Sequence, residues 1–409
     1  MQQIVIVGAG QGGLQAAASL RDGGFDGRLL LIGDEPGLPY QRPPLSKAYL
    51  LGKADDDGIL LKPARFFEDD RIELVSDTRV AAIERGDRRV RLQSGAAIDY
   101  DHLILATGAR NRALPVPGAH LAGVVSIRTL EDARRLRGLM DGAKRAVVVG
   151  GGFIGLEFAA VAAAKGLKVL VVEAAPRPLG RALSTEMSRF FTQAHIGWGV
   201  DFMFGTGVEA ILGETGVTGV RLANGLSVEA DIVVVGIGVS PNQELAAQAG
   251  LAVANGVVVD ENLITSDPAI SSLGDCAEFD SPFSIVGRVR VESVQNAVDQ
   301  ARNIAARLTG RPEPYTAVPW FWSDQGPFKL QMAGLASGHD TAVVRGDPDS
   351  GAFSVFCFAG DRLLAVESVN MPGDHMAGRR LLAIGAAITP AQAADTGVEL
   401  KALLSRPQA

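Results

Sequence analysis

The sequence contains the same short glycine pattern twice, each time between an apolar, β-branched run and a helix-like segment. The first copy, Gly8-Ala9-Gly10-Gln11-Gly12-Gly13, follows the run 4–7, and the second, Gly150-Gly151-Gly152-Phe153-Ile154-Gly155, follows the run 146–149. In such a pattern the first glycine permits a sharp turn, the second lets the backbone approach a pyrophosphate, and the third allows close helix–sheet packing. A chain with two copies is therefore predicted to contain two dinucleotide-binding βαβ units.

An acidic residue follows the second strand of each unit. Asp34 would accept hydrogen bonds from the ribose of the first dinucleotide. Glu173 has the matching position in the second unit, where a carboxylate pairs with a free ribose 2′-OH and repels a 2′-phosphate. The second site is thus expected to favour NADH over NADPH, although Arg177 and Arg181 lie close by and weaken that preference. Two dinucleotide sites in one chain indicate hydride passage between a nicotinamide and a flavin.

The composition excludes several other classes of protein. The 409 residues are 47 % hydrophobic and 21 % charged, which is typical of a globular chain of two or three domains. A net charge of −7 argues against nucleic acid as the main partner. The only cysteines are Cys276 and Cys357, so the sequence has neither a C-x-x-C pair nor a Cys-rich metal site. The five histidines show no metal-ligand spacing, and His195 and His339 are expected to be structural or surface residues.

Two features bear on where the protein resides. The N-terminus runs straight into a predicted strand without the basic region of a signal peptide, and the presence of only two cysteines fits a reducing compartment. The apolar stretch 146–164 divides into a β-branched and an Ala-rich half, which indicates strand, turn and buried helix and not a membrane span. We therefore expect a cytoplasmic protein without membrane association.

The last hundred residues differ in character from the rest. Strand-like runs occupy 328–332, 341–344, 353–358 and 363–369, and a helix is predicted for about 376–388. Strands followed by a helix predict a separate α+β domain, with its boundary in the Pro-flanked stretch near Pro312.

Further segments carry a family resemblance that covers nearly the whole chain. They are Arg42-Pro43-Pro44-Leu45-Ser46-Lys47, Ala106-Thr107-Gly108, Glu157 after the second glycine pattern, Gly274-Asp275, Val289-Arg290-Val291-Glu292-Ser293-Val294 and Trp320-Phe321-Trp322-Ser323-Asp324-Gln325. With the glycine patterns, they resemble the putidaredoxin reductase-like group of NADH-dependent ferredoxin reductases, within the FAD-containing pyridine nucleotide-disulfide reductase superfamily. The resemblance implies an α/β fold with two Rossmann-like domains and a C-terminal α+β domain. The implied boundaries are 1–112 with 243–311 for a discontinuous FAD domain, 113–242 for the NAD domain and 312–409 for the C-terminal domain.

The resemblance also implies which residues bind the cofactors. The candidates for FAD are Gly8, Gly10, Gly12, Gly13, Asp34, Arg42, Lys47, Val80, Ala106, Thr107, Gly108, Arg128, Asp275, Val294 and Trp320. The candidates in the second unit, which would hold NADH, are Gly150, Gly152, Ile154, Gly155, Glu173 and Gly238.

Lys47 and Glu157 are the candidate catalytic residues. In the family, the matching lysine lies near flavin N5 and pairs with the glutamate that follows the second glycine pattern. A preorganised cation at that position stabilises the negative charge that hydride brings, and the carboxylate keeps the lysine protonated and in place. The alternative is a surface lysine and a helical glutamate that never meet.

The tryptophans allow two interpretations. Trp320 and Trp322 either pack in a core or place one indole beside the flavin, where electrons leave. No cysteine occurs near Lys47 and none is paired, which argues against the peroxide-reducing and disulfide-exchanging branches of the superfamily.

The resemblance implies an enzyme that takes hydride from NADH on FAD and passes electrons singly to a two-iron, two-sulfur ferredoxin. That ferredoxin would serve a haem monooxygenase or another oxygenase. Arg302, Arg307 and Arg311 are candidates for a basic docking patch, with a solvated helix face as the alternative. Two other functions stay open: an NADH-dependent reductase of a small molecule such as a quinone or ascorbate radical, and a redox-sensing flavoprotein.

Overall fold

The apolar runs form strands, and the segments after the glycine patterns form helices, over residues 2–405, which the computed structural model describes. The helices are α1 (Gln11–Asp22), α2 (Ala64–Asp69), α3 (Leu130–Met140), α4 (Phe153–Ala164), α5 (Thr185–Gly197), α6 (Glu244–Gln248), α7 (Val294–Leu308), α8 (Pro372–Ala383) and α9 (Pro390–Ala394). The strands up to the second glycine pattern are β1 (Gln3–Val7), β2 (Arg28–Ile32), β3 (Glu73–Val75), β4 (Val80–Glu84), β5 (Arg89–Leu92), β6 (Ala97–Asp99), β7 (His102–Leu105), β8 (Ala109–Asn111), β9 (Val124–Val125) and β10 (Arg145–Val149). The later strands are β11 (Lys168–Glu173), β12 (Val200–Phe204), β13 (Val208–Leu212), β14 (Gly219–Leu222), β15 (Ser227–Glu229), β16 (Ile232–Val235), β17 (Val239–Pro241), β18 (Val257–Val258), β19 (Ile270–Ser272), β20 (Ala277–Glu278), β21 (Trp320–Gln325), β22 (Phe328–Gly334), β23 (Thr341–Asp347), β24 (Ala352–Ala359) and β25 (Arg362–Val369).

These elements belong to two compact units, each assembled from separate stretches of the chain. The first unit comprises the residues up to Gln41, Asp56–Arg110 and Ser240–Phe321, and the second comprises Arg42–Asp55, Asn111–Val239 and the residues from Trp322 onward. The first contains most of the segments predicted for the FAD domain, and the second contains most of those predicted for the NAD and C-terminal domains. The division into three domains stays a prediction.

The first unit is built on a parallel sheet of order β19-β7-β1-β2-β3. Its central strands are continuous apolar runs because both of their faces are buried, and Val5 pairs with Leu30 on one side and Leu103 on the other. Since the strands are parallel, all of their carboxyl ends meet at one edge. The glycine loop after β1, Asp34 after β2, the loop 106–108 after β7 and Asp275 after β19 therefore lie at that edge.

The second unit repeats this arrangement in a parallel sheet of order β12-β11-β10-β16-β9. The apolar stretch 146–164 is strand β10 followed by helix α4, as predicted, and most of α4 is buried inside the unit. That burial explains why the stretch lacks a polar face. Among the described residues, no helix is both long and apolar enough to cross a membrane.

The C-terminal antiparallel sheet has the order β21-β22-β25-β24-β23, and its residues from Trp322 onward belong to the second unit. The predicted strands are present, but the helix predicted for 376–388 is wrong in its bounds, since α8 runs from Pro372 to Ala383. Pro372 is favoured in the first turn of a helix, where no backbone N–H is needed, and the left-handed Gly385 (φ +61°) follows the helix end. The tryptophan segment 320–325 is an edge strand that the sequence analysis did not predict.

Candidate active site

The first glycine loop has the shape that a pyrophosphate requires. Gly8 has φ +112°, and a Cβ added to it would lie 2.1 Å from the carbonyl oxygen of Ala106. A Cβ on Gly13 would lie 1.9 Å from the carbonyl oxygen of Gly8. Gly10, which caps α1, faces open space, with nothing within 4 Å of an added Cβ. The loop is thus closed on its protein side and open at Gly10, where helix N–H groups attract an anion, so these residues fit a dinucleotide.

Gly12 and Asp34 differ in their surroundings. A Cβ on Gly12 would lie 2.4 Å from the Cδ1 atom of Leu273, so its lack of a side chain is explained by packing inside the unit. Asp34 is exposed, and its Oδ2 atom lies 3.9 Å from the guanidinium of Arg79. Its carboxylate is therefore accessible to a ribose, whereas contact of Gly12 with the cofactor stays a prediction.

The loop after β7 is hydrogen-bonded to Asn242, a residue of the same unit that is distant in the sequence. The Thr107 hydroxyl donates to the carbonyl oxygen of Asn242 (2.7 Å), and the Asn242 side-chain amide donates to the carbonyl oxygen of Thr107 (2.9 Å). The backbone N–H of Asn242 also donates to the carbonyl of Gly108, which has φ +66°. Sequence reasoning missed Asn242, because no local signal shows that it would meet a loop so distant in the chain.

Asp275 lies in a turn that other side chains hold in place. Gly274 (φ +74°) donates its N–H to the buried Gln300 amide oxygen at 2.7 Å, and Arg290 donates to the Asp275 carbonyl at 3.0 Å. Val294 is the first residue of α7, whose N-terminus Ser293 caps. The turn and the helix start are thus rigidly built, and the cofactor contacts of Asp275 and Val294 stay predictions.

The second glycine loop repeats the first in detail. Gly150 has φ +102°, and a Cβ added to it would lie 2.5 Å from the carbonyl oxygen of Gly236. A Cβ added to Gly155 would lie 2.4 Å from the carbonyl oxygen of Gly150. At Gly152, which caps α4, the nearest atom to an added Cβ is 3.7 Å away. Ile154 lies in the first turn of α4 and is half-buried. This loop also fits a dinucleotide phosphate.

The surroundings of Glu173 strengthen the expected preference for NADH. Its two carboxylate oxygens accept the backbone N–H groups of Gly151 (2.6 Å) and Ala175 (2.7 Å), which holds the negative charge beside the glycine loop. Arg177 donates to carbonyl oxygens within its own loop, at Ser184 and Gly180. Two of its guanidinium nitrogens are therefore engaged within this loop.

Gly238 also lies at the carboxyl edge of this second sheet. It has φ +95°, and an added Cβ would lie 3.3 Å from a guanidinium nitrogen of Arg181. The guanidinium of Arg181 therefore lies at this edge of the sheet, close to Gly238.

The structure brings Lys47 and Glu157 together. Lys47 follows the short 3₁₀ helix Pro43–Ser46, and Glu157 lies on α4, the helix that begins at the second glycine loop. The Lys47 Nζ atom is 2.9 Å from Glu157 Oε1, and their side chains are only 17 % and 6 % exposed. The predicted pairing is therefore present, and the alternative of two separated surface residues is wrong.

Two serines complete the surroundings of this carboxylate. Ser46 Oγ donates to Glu157 Oε2 at 2.5 Å, and Ser323 Oγ donates to Glu157 Oε1 at 2.7 Å. Together with Lys47, they give the buried carboxylate three donors, which is what an ionised buried group requires. Neither serine was among the predicted site residues, although both occur in the segments that carry the family resemblance.

The other candidates are placed as follows. Arg42 donates to the carbonyl oxygen of Arg128 at 2.6 Å, so these two predicted FAD contacts are neighbours within the second unit. Val80 begins β4, and Trp320 begins the edge strand β21 and is half-buried. Their contacts with a cofactor stay predictions.

One member of the predicted docking patch faces inward. Arg307 donates to the buried hydroxyl of Ser271 at 2.6 Å, and burial lowers the pKa of its guanidinium. Arg302 is exposed but lies 3.6 Å from Asp299 on the same helix. Because its guanidinium bonds to a buried hydroxyl of the sheet, Arg307 does not fit such a patch, whereas a docking role for Arg302 and Arg311 stays a prediction.

Neither cysteine is placed for redox chemistry. Both are free thiols and buried, and Cys276 Sγ lies within hydrogen-bond distance of the Leu273 carbonyl, at 3.2 Å. Burial raises the pKa of Cys357. A thiol buried in apolar surroundings is a poor nucleophile, in line with the sequence argument against the disulfide and peroxide branches.

Comparison with known proteins agrees with this geometry. A family model described as pyridine nucleotide-disulphide oxidoreductase matches residues 2–301, and one described as reductase C-terminal matches 320–404. The chain is 56 % identical to rhodocoxin reductase of Rhodococcus erythropolis over 404 residues, which is 98 % of this chain and 94 % of that protein.

Two solved structures share the fold over almost their whole length. One is the ferredoxin reductase for the CYP199A2 system from Rhodopseudomonas palustris, with TM-score 0.96, 50 % identity and coverage of 99 % of this chain and 100 % of that one. The other is the covalent putidaredoxin reductase–putidaredoxin complex, with TM-score 0.95, 41 % identity and coverage of 99 % and 98 %. The fold class predicted from the sequence is confirmed. The chain belongs to the pyridine nucleotide-disulphide oxidoreductase family and, within it, to the ferredoxin reductases, flavoprotein oxidoreductases that contain FAD and use NADH.

Proposed function

We propose that this enzyme passes electrons from NADH through FAD singly to a two-iron, two-sulfur ferredoxin, and that this ferredoxin serves a haem monooxygenase or another oxygenase. FAD, when bound, takes up two electrons with hydride and releases them one at a time. The residues of the first glycine loop, with Asp34 and Asp275, would hold it, and those of the second loop, with Glu173, would hold NADH. We also propose a cytoplasmic location, in keeping with two buried free thiols.

The observation that carries the proposal is the buried ion pair of Lys47 and Glu157. An enzyme that delivers hydride to a flavin needs a cation already in place to stabilise the incoming negative charge, so that no solvent has to reorganise during the transfer. Lys47 satisfies this requirement because its ammonium group is held by a carboxylate that two serines also fix. Glu157 in turn lies on the helix that starts at the proposed NADH loop.

The relatives support the choice of acceptor. The names rhodocoxin reductase and putidaredoxin reductase each include the partner of the reductase, and the second enzyme was solved in a covalent complex with putidaredoxin. A partner of this kind docks transiently and is steered by charge, so its reduction should depend on ionic strength.

The test is an anaerobic NADH titration of the purified holoenzyme, followed by mixing with candidate acceptors. We expect NADH to bleach the flavin absorbance and a two-iron, two-sulfur ferredoxin to restore it within the turnover time, more slowly at high salt. Rapid turnover with a quinone or ascorbate radical alone would instead indicate a small-molecule reductase. Slow reoxidation by every acceptor would indicate a sensor, and either result would overturn the proposal.

A further inference from the structure

A continuous row of buried polar side chains leads from α5 to the Lys47–Glu157 pair. Its members are His195 on α5, then Gln325 and Ser323 on β21, all of them fully buried. His195 Nε2 is 2.8 Å from Gln325 Oε1, Gln325 Nε2 is 3.2 Å from Ser323 Oγ, and Ser323 Oγ is 2.7 Å from Glu157 Oε1. All of these residues belong to the second unit.

We propose that this row acts as a single hydrogen-bonded chain, in which the tautomer of His195 sets the direction of donation from Ser323 to Glu157. His195 is thereby a positioning residue for the Lys47–Glu157 pair, although it touches neither of them. The consequence for catalysis rests on the role proposed above for that pair, whereas the chain itself rests on the four side chains that form it.

The direction of the chain follows from the donors and acceptors that each group has. A neutral imidazole carries one N–H, and a glutamine amide offers an oxygen at one end and an NH₂ at the other. When His195 donates from Nε2, Gln325 accepts with its oxygen and turns its NH₂ to Ser323. The serine hydroxyl then accepts from Gln325 and is left with its own proton for Glu157.

The opposite tautomer would reverse every bond. With its proton on Nδ1, His195 would accept at Nε2, so Gln325 would turn its NH₂ toward the ring and its oxygen toward Ser323. Ser323 would then donate to Gln325 and present only lone pairs to Glu157. The carboxylate would lose one of its three donors, and the position of the Lys47 ammonium would be held by fewer contacts.

The environment of the ring selects the first tautomer. His195 packs against Trp198, with ring centroids 4.8 Å apart, and lies near Phe202. Burial lowers the pKa of His195 to about 4, so the ring is neutral at working pH. Its Nδ1 atom is buried without a hydrogen-bond partner among the described residues. A proton on Nδ1 would therefore leave a buried N–H unpaired, which is unfavourable, whereas a proton on Nε2 is used.

The first experiment reads the tautomer directly in the holoenzyme. Protein labelled with ¹⁵N-histidine is compared with the His195→Gln variant, which identifies the His195 ring signals among those of the five histidines. We expect the pattern of an Nε2–H tautomer that does not titrate between pH 6 and 8. We further expect the Glu157→Gln substitution to shift the His195 ring signals. In the Ser323→Ala variant, where the hydrogen-bonded chain is interrupted, adding Glu157→Gln should leave these signals unchanged. An Nδ1–H tautomer, or no response to Glu157→Gln, would overturn the proposal.

The second experiment measures flavin reduction by NADH in a stopped-flow spectrometer. His195→Phe keeps the packing and removes the donor, and we expect it to lower the limiting rate about tenfold, without changing the NADH concentration that gives half of that rate. His195→Gln retains an amide N–H at the place of Nε2 and should restore the rate. His339→Gln is the matched control, because that histidine lies outside the chain and bonds to the carbonyl of Ala336.

The outcomes separate the two proposals. Equal rates for His195→Phe and His195→Gln, together with a slow Lys47→Ala variant, would overturn the role of His195 alone. A Lys47→Ala variant as fast as the wild type would overturn the role of the ion pair, while the ¹⁵N signals would still decide whether the hydrogen-bonded chain exists. If His195→Phe fails to fold, the measurements on the wild type and on Glu157→Gln suffice.

Discussion

Replacing Lys47 by alanine removes the one cation of the buried pair. The carboxylate of Glu157 stays hydrogen-bonded to Ser46 and Ser323, so we expect the variant to fold and to retain FAD. What it loses is the positive charge that we propose stabilises the electrons arriving from NADH. The effect should therefore appear in the rate of flavin reduction rather than in the cofactor content.

The burial of the pair sets the size of the effect. A unit charge acts on another 4 Å away with about 4 kcal/mol where the effective dielectric constant is near 20. Because Lys47 is 17 % exposed, solvent screens part of this interaction, and we expect a loss of about 3 kcal/mol of transition-state stabilisation. That corresponds to a fall of about 150-fold in the limiting rate.

The assay is anaerobic stopped-flow absorbance of the bound flavin over a range of NADH concentrations. Lys47→Arg retains the charge and should lose much less than Lys47→Ala. Lys53→Ala is the matched control, because it removes an exposed lysine a few residues along the chain and should leave the rate unchanged. A Lys47→Ala variant that reduces its flavin at the wild-type rate would refute the reasoning.

Three further outcomes are expected. Gly10→Ala should leave the free energy of unfolding of the apoprotein unchanged but weaken FAD binding at least about tenfold in a fluorescence titration, since the added methyl group enters the open side of the loop. Gly8→Ala should instead destabilise the fold itself. Glu173→Ala should raise kcat/KM for NADPH relative to NADH by about tenfold, because the charge that repels a 2′-phosphate is gone. Burial raises the pKa of Glu367, to whose carboxylate the Ser184 N–H and hydroxyl donate, from 4.5 to about 7. The free energy of unfolding in urea should therefore fall by up to about 3 kcal/mol as the pH rises from about 4.5 to about 7, and Glu367→Gln should remove this slope.

Each of these outcomes has a result that would contradict it. Equal FAD affinity of Gly10→Ala and the wild type would show that the open side of the loop does not face the cofactor. An unchanged ratio of NADPH to NADH activity in Glu173→Ala would remove the carboxylate from coenzyme selection. The free energy of unfolding falls with pH because the folded protein keeps a proton on Glu367 that the unfolded chain releases. A free energy of unfolding that rises over the same pH range would show that the Glu367 carboxylate is ionised when folded.

The parts of the fold that depend on neighbouring residues were predictable from the sequence. The alternation of β-branched runs, glycine turns and helices predicted both βαβ units, since these signals lie within a few residues of one another. The helix α8 was misplaced because apolar spacing alone does not mark a start, and the signal at Pro372 was not used. The strand of the tryptophan segment was missed because aromatic clusters occur in many local structures.

The sequence by itself determined that this chain carries two glycine loops, each with an acid at the end of the next strand, and therefore what kind of ligand it can bind. Only the tertiary structure decided which distant side chains share a site. In the fold, Ser46 and Ser323 donate hydrogen bonds to the carboxylate of Glu157. Gln325 and His195 continue the hydrogen-bonded chain from Ser323. The physical reason is that glycine conformations and strand runs are local properties, whereas the donors of a buried carboxylate come from whichever segments the folded core brings within 3 Å.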